Sequence, residues 1–210
     1  MSSALIIGSG SNIDKKTFES ENIKFEYVIC ADGGLEKTEY LNLTPNIIIG
    51  DLDSVNLNVL KRYEQTEIVK YPAEKNFTDM ELAIEHAVCK GYDEIILIGA
   101  TGSRLDHSIA NILLIEAYHK KSVKIKILDN NNLVQIVTDK MEIQYKKNYF
   151  VSIIPLTDMI EGITLEGFKY PLDDVDVQRG STLCISNQIV KEKGIISFRK
   201  GNALVFISKD

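Results

Sequence analysis

The sequence predicts an α/β chain in two parts: a mostly parallel sheet with helices over residues 1–128, then an all-β sandwich over residues 129–210. Three observations carry this. Short apolar runs alternate with amphipathic stretches as far as Leu128, the pattern of parallel strands joined by crossover helices. Beyond it the segments are short, β-rich and separated by Asn, Asp, Gly or Pro, the texture of an antiparallel sandwich. The length of 210 residues suits one large domain or two small ones.

In the first part, strands are expected at residues 4–7, 27–30, 47–49, 68–69, 95–98 and 123–128, with helices near 32–42, 57–64, 78–90 and 104–119. The helix after Thr78 has the clearest signals. Thr78 and Glu81 fit a capping box, Met80, Ala83, Ile84, Ala87 and Val88 make one apolar face, and Gly91 ends it. Such an alternation is Rossmann-like. In the second part, strands are expected at 133–137, 141–145, 150–154, 162–168, 181–185, 194–198 and 203–207.

The net charge of −6 argues against a nucleic-acid protein, whose binding face needs an excess of Lys and Arg. It leaves room for a nucleotide substrate, because amides and a metal ion can handle phosphates without a basic surface. No apolar run approaches the roughly 20 residues of a membrane span, and the opening residues do not read as a signal peptide. Cys30, Cys89 and Cys184 are far apart, with no CxxC pair. They are expected to be reduced core thiols of a cytoplasmic protein.

Ligands of doubly wound sheets bind at the carboxyl ends of the strands, so the residues after each strand matter most. These are Gly8-Ser9-Gly10-Ser11-Asn12, Ala31-Asp32-Gly33-Gly34, Gly50-Asp51-Leu52-Asp53-Ser54 and the run from Gly99 to His107. The first lacks the third glycine of a dinucleotide fingerprint and the lysine of a Walker loop, and a plain tight turn is its alternative. Asp51 and Asp53, two apart in an extended segment, would project to one side and share a cation, with Mg²⁺ and substrate phosphates the usual occupants. The alternative is a solvated turn. Asp79 would add a third carboxylate or merely complement a helix dipole. Arg104 could clamp phosphates with its planar fork, or pair with Asp106 on the surface. His107 lies on the same edge, whereas His86 and His119 read as structural or solvent-facing.

Taken in order, Ala31-Asp32-Gly33-Gly34, Gly50-Asp51-Leu52-Asp53-Ser54, Thr78-Asp79 and Gly102-Ser103-Arg104-Leu105-Asp106-His107 resemble the thiamine pyrophosphokinase family. Gly167-Phe168-Lys169-Tyr170-Pro171-Leu172 and the run from Gly180 to Ser186-Asn187 continue the likeness almost to the end of the chain. The resemblance implies transfer of the pyrophosphoryl group of ATP to the hydroxyethyl oxygen of thiamine, releasing AMP. It implies Mg²⁺ on Asp51, Asp53 and Asp79. Asp32, Gly33, Gly34, Thr78, Arg104, Asp106 and His107 would lie around nucleotide and phosphates, with Ser186 and Asn187 near thiamine. It also implies a homodimer with active sites shared between subunits. The chain departs from many relatives in having Asn76, not Asp, after Lys75, and in having no tryptophan to stack on thiamine. Competing readings are a haloacid-dehalogenase-type phosphatase using Asp51, a pyrophosphokinase of another alcohol such as a pterin, and a non-catalytic nucleotide- or thiamine-binding regulator.

Overall fold

A computed structural model of the chain describes residues 2–52, 57–71 and 76–210. The chain divides into two compact units, Met1–Asn130 and Asn131–Asp210.

In the first unit, β1 (Ser3–Ile7), β2 (Tyr27–Ala31), β3 (Ile47–Gly50), β4 (Glu67–Lys70), β5 (Glu94–Ile98) and β6 (Lys124–Leu128) lie in the order β4-β3-β2-β1-β5-β6. Every neighbouring pair runs parallel. A strand covered on both faces needs an unbroken apolar run, and Ala4, Leu5, Ile6 and Ile7 are each fully buried. The strands after β1 grow away from it in one direction, and β5 then returns to its other side. The order therefore reverses between β1 and β5, which opens a crevice at their carboxyl ends.

The helices are α1 (Lys15–Ser20), α2 (Glu36–Leu41), α3 (Leu57–Leu60), α4 (Asp79–Cys89) and α5 (Leu105–His119), with a 3₁₀ turn at Asp32–Leu35 leading into α2. α4 starts as its sequence dictates: the Thr78 hydroxyl accepts the Glu81 amide at 3.2 Å, and Met80, Ala83, Ile84 and Ala87 are buried. α1 was not expected. Its six residues bury only Phe18, too little to leave a helical period in the sequence.

In the second unit, β7 (Asn132–Val137), β13 (Ala203–Ser208) and β9 (Phe150–Pro155) form one antiparallel set. β11 (Leu172–Gln178), β10 (Met159–Glu166), β12 (Lys193–Ser197) and β8 (Lys140–Gln144) form the other. Val151, Ile153 and Val205 from the first pack with Ile160, Ile163, Leu165 and Ile196 from the second in one buried cluster. This is the predicted sandwich. Two details differ from expectation. Residues 181–185 are no strand but successive turns, closed by Ser181 N–H to Gln178 O and Ile185 N–H to Thr182 O. The strand is instead β11, where three aspartates mask the pattern and only Val177 is fully buried.

Cys30 and Cys184 are buried free thiols, but Cys89 is exposed. It ends α4 away from the apolar face, so it is not the core thiol expected. Among the described residues, no helix is long and apolar enough to cross a membrane.

Candidate functional site

The crevice predicted by the strand order is present in the first unit as a cavity of about 480 Å³. Gly8 and Gly10 after β1, Asp32 after β2, Asp51 after β3 and Gly99 after β5 contribute to its wall. The first residues of α4 and α5 close it, with Thr78 and Asp79 from one and Arg104 and His107 from the other. Both helices are long enough for their peptide dipoles to sum, 11 and 15 residues, so two positive helix ends face the same space.

The loops after β1 and β5 are laced together. Gly8 N–H donates to Ile98 O, Gly10 N–H to Gly99 O and Ser11 N–H to Thr101 O, at 2.8, 2.8 and 2.7 Å. These amides are committed to the fold and do not form the phosphate cradle that a glycine-rich loop suggests. Gly99 must be glycine, because its φ is 62° and a Cβ there would strike the Gly8 carbonyl. Gly34 does a similar packing job: a Cβ on it would collide with the Ile7 carbonyl oxygen.

Three polar side chains that the sequence reading passed over hold these loops. The Lys37 ammonium donates to Gly8 O at 2.5 Å and to Gly10 O at 2.6 Å. The Asn111 amide donates to Ala100 O at 2.7 Å, and the Ser108 hydroxyl accepts the Gly102 amide at 3.1 Å. All three are buried, which follows from where their helices dock and is not written in the local sequence.

The structure gathers Asp32, Asp51, Thr78, Asp79, Arg104 and His107 on one cavity. Gly33 and Gly34, in the 3₁₀ turn after β2, and Asp106, in the first turn of α5, do not line it. Asp53 lies outside the described residues. At Leu52 the extended geometry expected does not hold, since this residue has φ 62° and is buried. Among the described residues, no group of three or more His, Cys, Asp or Glu side chains is assembled as a metal site. The donor chemistry nevertheless suits Mg²⁺, a hard cation that takes one or two carboxylates and completes its shell with water and phosphate oxygens.

Arg104 is engaged as its alternative reading foresaw. Its Nε and Nη2 donate to the two oxygens of Asp106 at 3.2 and 2.6 Å. The pair is exposed. Hydrogen bonding to Arg104 holds the Asp106 carboxyl below the usual carboxylate range, and the same bond raises the guanidinium.

Ser186 and Asn187 belong to the second unit. Ser186 is exposed with φ 56°. Asn187 is buried and used by the fold: its Oδ1 accepts the amides of Tyr170 and Gln188 at 3.1 and 2.9 Å, and its Nδ2 donates to Tyr170 O at 2.8 Å. The Gly167–Leu172 motif and the Ser186-Asn187 motif are thus physically paired, with Lys169 N–H on Gln188 O and Val190 N–H on Gly167 O.

A doubly wound α/β unit with a carboxylate-rich crevice at its switch point, followed by a β-sandwich, defines a two-part chain of the kind that handles phosphorylated ligands. Residues 18–127 match the family model "Thiamin pyrophosphokinase, catalytic domain", and residues 136–202 match "Thiamin pyrophosphokinase, vitamin B1 binding domain". Thiamine pyrophosphokinase of Bacillus subtilis (strain 168) is 36% identical over 185 residues, which cover 84% of this chain and 86% of that protein. The crystal structure of the thiamine pyrophosphokinase from Bacillus subtilis superposes with a TM-score of 0.90 at 30% identity, covering 99% of both chains. That from Geobacillus thermodenitrificans gives 0.86 at 31% identity, covering 99% of this chain and 98% of the other. The chain belongs to the thiamin pyrophosphokinase family.

Proposed function

We infer that this chain transfers the pyrophosphoryl group of ATP to the hydroxyethyl oxygen of thiamine, giving thiamine diphosphate and AMP. The observation that carries the reading is the succession of the two family matches, catalytic then vitamin-B1-binding, on a chain whose first unit has its cavity at the switch point. The rival phosphatase reading places its nucleophile after the opening strand, whereas Asp51 follows β3. A pterin substrate finds no support in the second match, and a silent regulator finds none in the first, which is to a catalytic domain.

The chemistry needs the phosphate charge neutralised and the alcohol aligned on the β-phosphorus. Two helix N-termini and the Arg104 fork would supply part of that charge. Arg104 would exchange its exposed partner Asp106 for phosphate oxygens, a bidentate contact that a guanidinium makes and an ammonium does not. Asp32, Asp51 and Asp79 line the same cavity and would repel a polyphosphate unless a cation stood between them. We therefore assign Mg²⁺ to Asp51 and Asp79, with Asp53 as the third ligand implied by the family motif. When bound, it would neutralise and orient the phosphate oxygens. A loose phosphoryl transition state asks little of a general base.

The residues about the thiamine are assigned to the second unit, around Ser186. A homodimer with sites shared between subunits is the proposed assembly. It is supported by an exposed apolar row on α5, Leu105, Ile109 and Leu113, spaced four residues apart and 71, 56 and 51% exposed. A cytoplasmic setting is the proposed location, supported by three free thiols. Incubation with ATP, Mg²⁺ and thiamine should yield AMP and thiamine diphosphate. Formation of ADP and thiamine monophosphate would make the protein an ordinary kinase and overturn the reading.

A further inference from the structure

Among the described residues, Lys37 is the one charged side chain that is buried, at 8% exposure. It lies on α2, behind the loop that follows β1. Gly8 and Gly10 line the cavity and Lys37 does not, yet both of their carbonyl oxygens point at its ammonium, at 2.5 and 2.6 Å. The same nitrogen lies against the end of β5, only 2.6 Å from where a Cβ on Gly99 would stand.

We infer that Lys37 is the positioning residue of the nucleotide site: its ammonium turns the Gly8 and Gly10 carbonyls away from the cavity and stands as a positive charge behind the wall that meets the polyphosphate. The inference rests on the reading that this cavity takes ATP. Its physics is direct. A carbonyl oxygen is the negative end of a peptide dipole, and two of them facing an anion would oppose binding. The Gly8, Gly10 and Ser11 amides are spent between β1 and β5 and do not offset that repulsion. The ammonium removes the unfavourable ends from the ligand's side and adds a charge that low-polarity surroundings screen poorly.

The surroundings of Lys37 bear on its protonation. Burial lowers it to about 8, opposed by Glu36 on its own helix, and Cys30 on β2 also faces it. The Cys30 thiol is itself pushed far up by burial, so it stays neutral. The β1 and β5 ends packed on the ammonium present glycine backbone. The charge should therefore be present at neutral pH and be lost as pH rises through about 8.

The test compares wild type, Lys37→Met and Lys37→Arg as full chains. Three quantities are measured: the affinity for a non-hydrolysable ATP analogue with Mg²⁺, the KM for thiamine, and thermal melting. Lys37→Met should weaken the analogue roughly tenfold or more while thiamine KM stays within about twofold, since charge-assisted hydrogen bonds are lost on the nucleotide side alone. Wild-type affinity should fall as pH is raised through about 8, the Met variant should be flat, and Lys37→Arg should recover affinity and keep it in alkali. A folded Met variant that binds the analogue as wild type does overturns the inference, as does a parallel loss of both ligands. If the Met variant does not fold, a wild-type affinity that is constant from about pH 7.5 to 9.5 overturns it. Wild type that binds no ATP analogue at all brings down the nucleotide reading and this inference together; equal binding by a folded Met variant brings down this inference alone.

Discussion

Asp32 and Leu52 adopt φ of 47° and 62° immediately beyond β2 and β3. A non-glycine residue held there costs on the order of 1 kcal/mol. Gly50, the last residue of β3, sits so close to Asp32 that an added Cβ would meet its backbone at 3.2 Å. The ends of the paired strands lie side by side where Asp32 and Asp51 meet the cavity. Arg104 presents the opposite case, exposed with its guanidinium on Asp106. Arg104→Lys should lower the catalytic rate by roughly tenfold or more, because the ammonium keeps the charge but not the planar fork. Its melting temperature should stay within about two degrees of wild type, as exposed pairs contribute little. A large fall in melting temperature with unchanged activity per folded molecule would make Arg104 a structural residue. At this scale, the motif residues were legible because small and charged types cluster after apolar runs. Lys37 was not. Between Glu36 and Thr38 on a short helix it reads as surface, and only the docking of α2 under β1 and β5 buries it.

The elements that a single period defines were legible: β1 and β5 as continuous apolar runs, α4 as a capped amphipathic helix. Those in which charge or turns interrupt the pattern were not. β11 carries Asp173, Asp174 and Asp176 because it edges its sheet, pairing on one side with β10, and an edge strand tolerates charge on its open face. The run at 181–185 looks like a strand by composition, yet its local turns bring Asn187 back beside Val151, where the two exchange backbone hydrogen bonds of 2.8 and 3.0 Å. The family resemblance implies Asn187 near thiamine, and its side chain brackets Tyr170 and Gln188. Asn187→Ala removes a buried side chain and leaves the Tyr170 amide and carbonyl without that partner in a part-buried place, and should cost about 2 kcal/mol. Melting should then fall by roughly 4–8 °C, with affinity for the ATP analogue unchanged because that cavity lies in the first unit. A variant that melts like wild type but loses thiamine would make Asn187 a direct contact and not a positioning residue.

At the scale of the whole molecule, the question is whether each active site draws on one chain or two. The first unit alone supplies Asp32, Asp51, Asp79 and Arg104 to one cavity, while the exposed Ser186 belongs to the second. Two variants separate these contributions. Asp51→Asn removes a carboxylate proposed to hold Mg²⁺; it also relieves repulsion among like charges, so the apo protein should melt no lower than wild type. Ser186→Arg places bulk and a positive charge where a thiazolium cation is proposed to rest, on an exposed position that disturbs no core. Each homodimer should be weak or inactive. In a mixed dimer with shared sites, one site receives both defects and the other receives none. Mixing equal amounts, with exchange of subunits verified by mass, should therefore restore up to roughly a quarter of wild-type activity, since half the dimers are mixed and half their sites are intact. If each site were built within one chain, the mixed dimer would carry two damaged sites and no activity would return. Verified exchange without recovery would defeat the shared site and leave the assigned reaction standing, because that reaction is tested separately by its products.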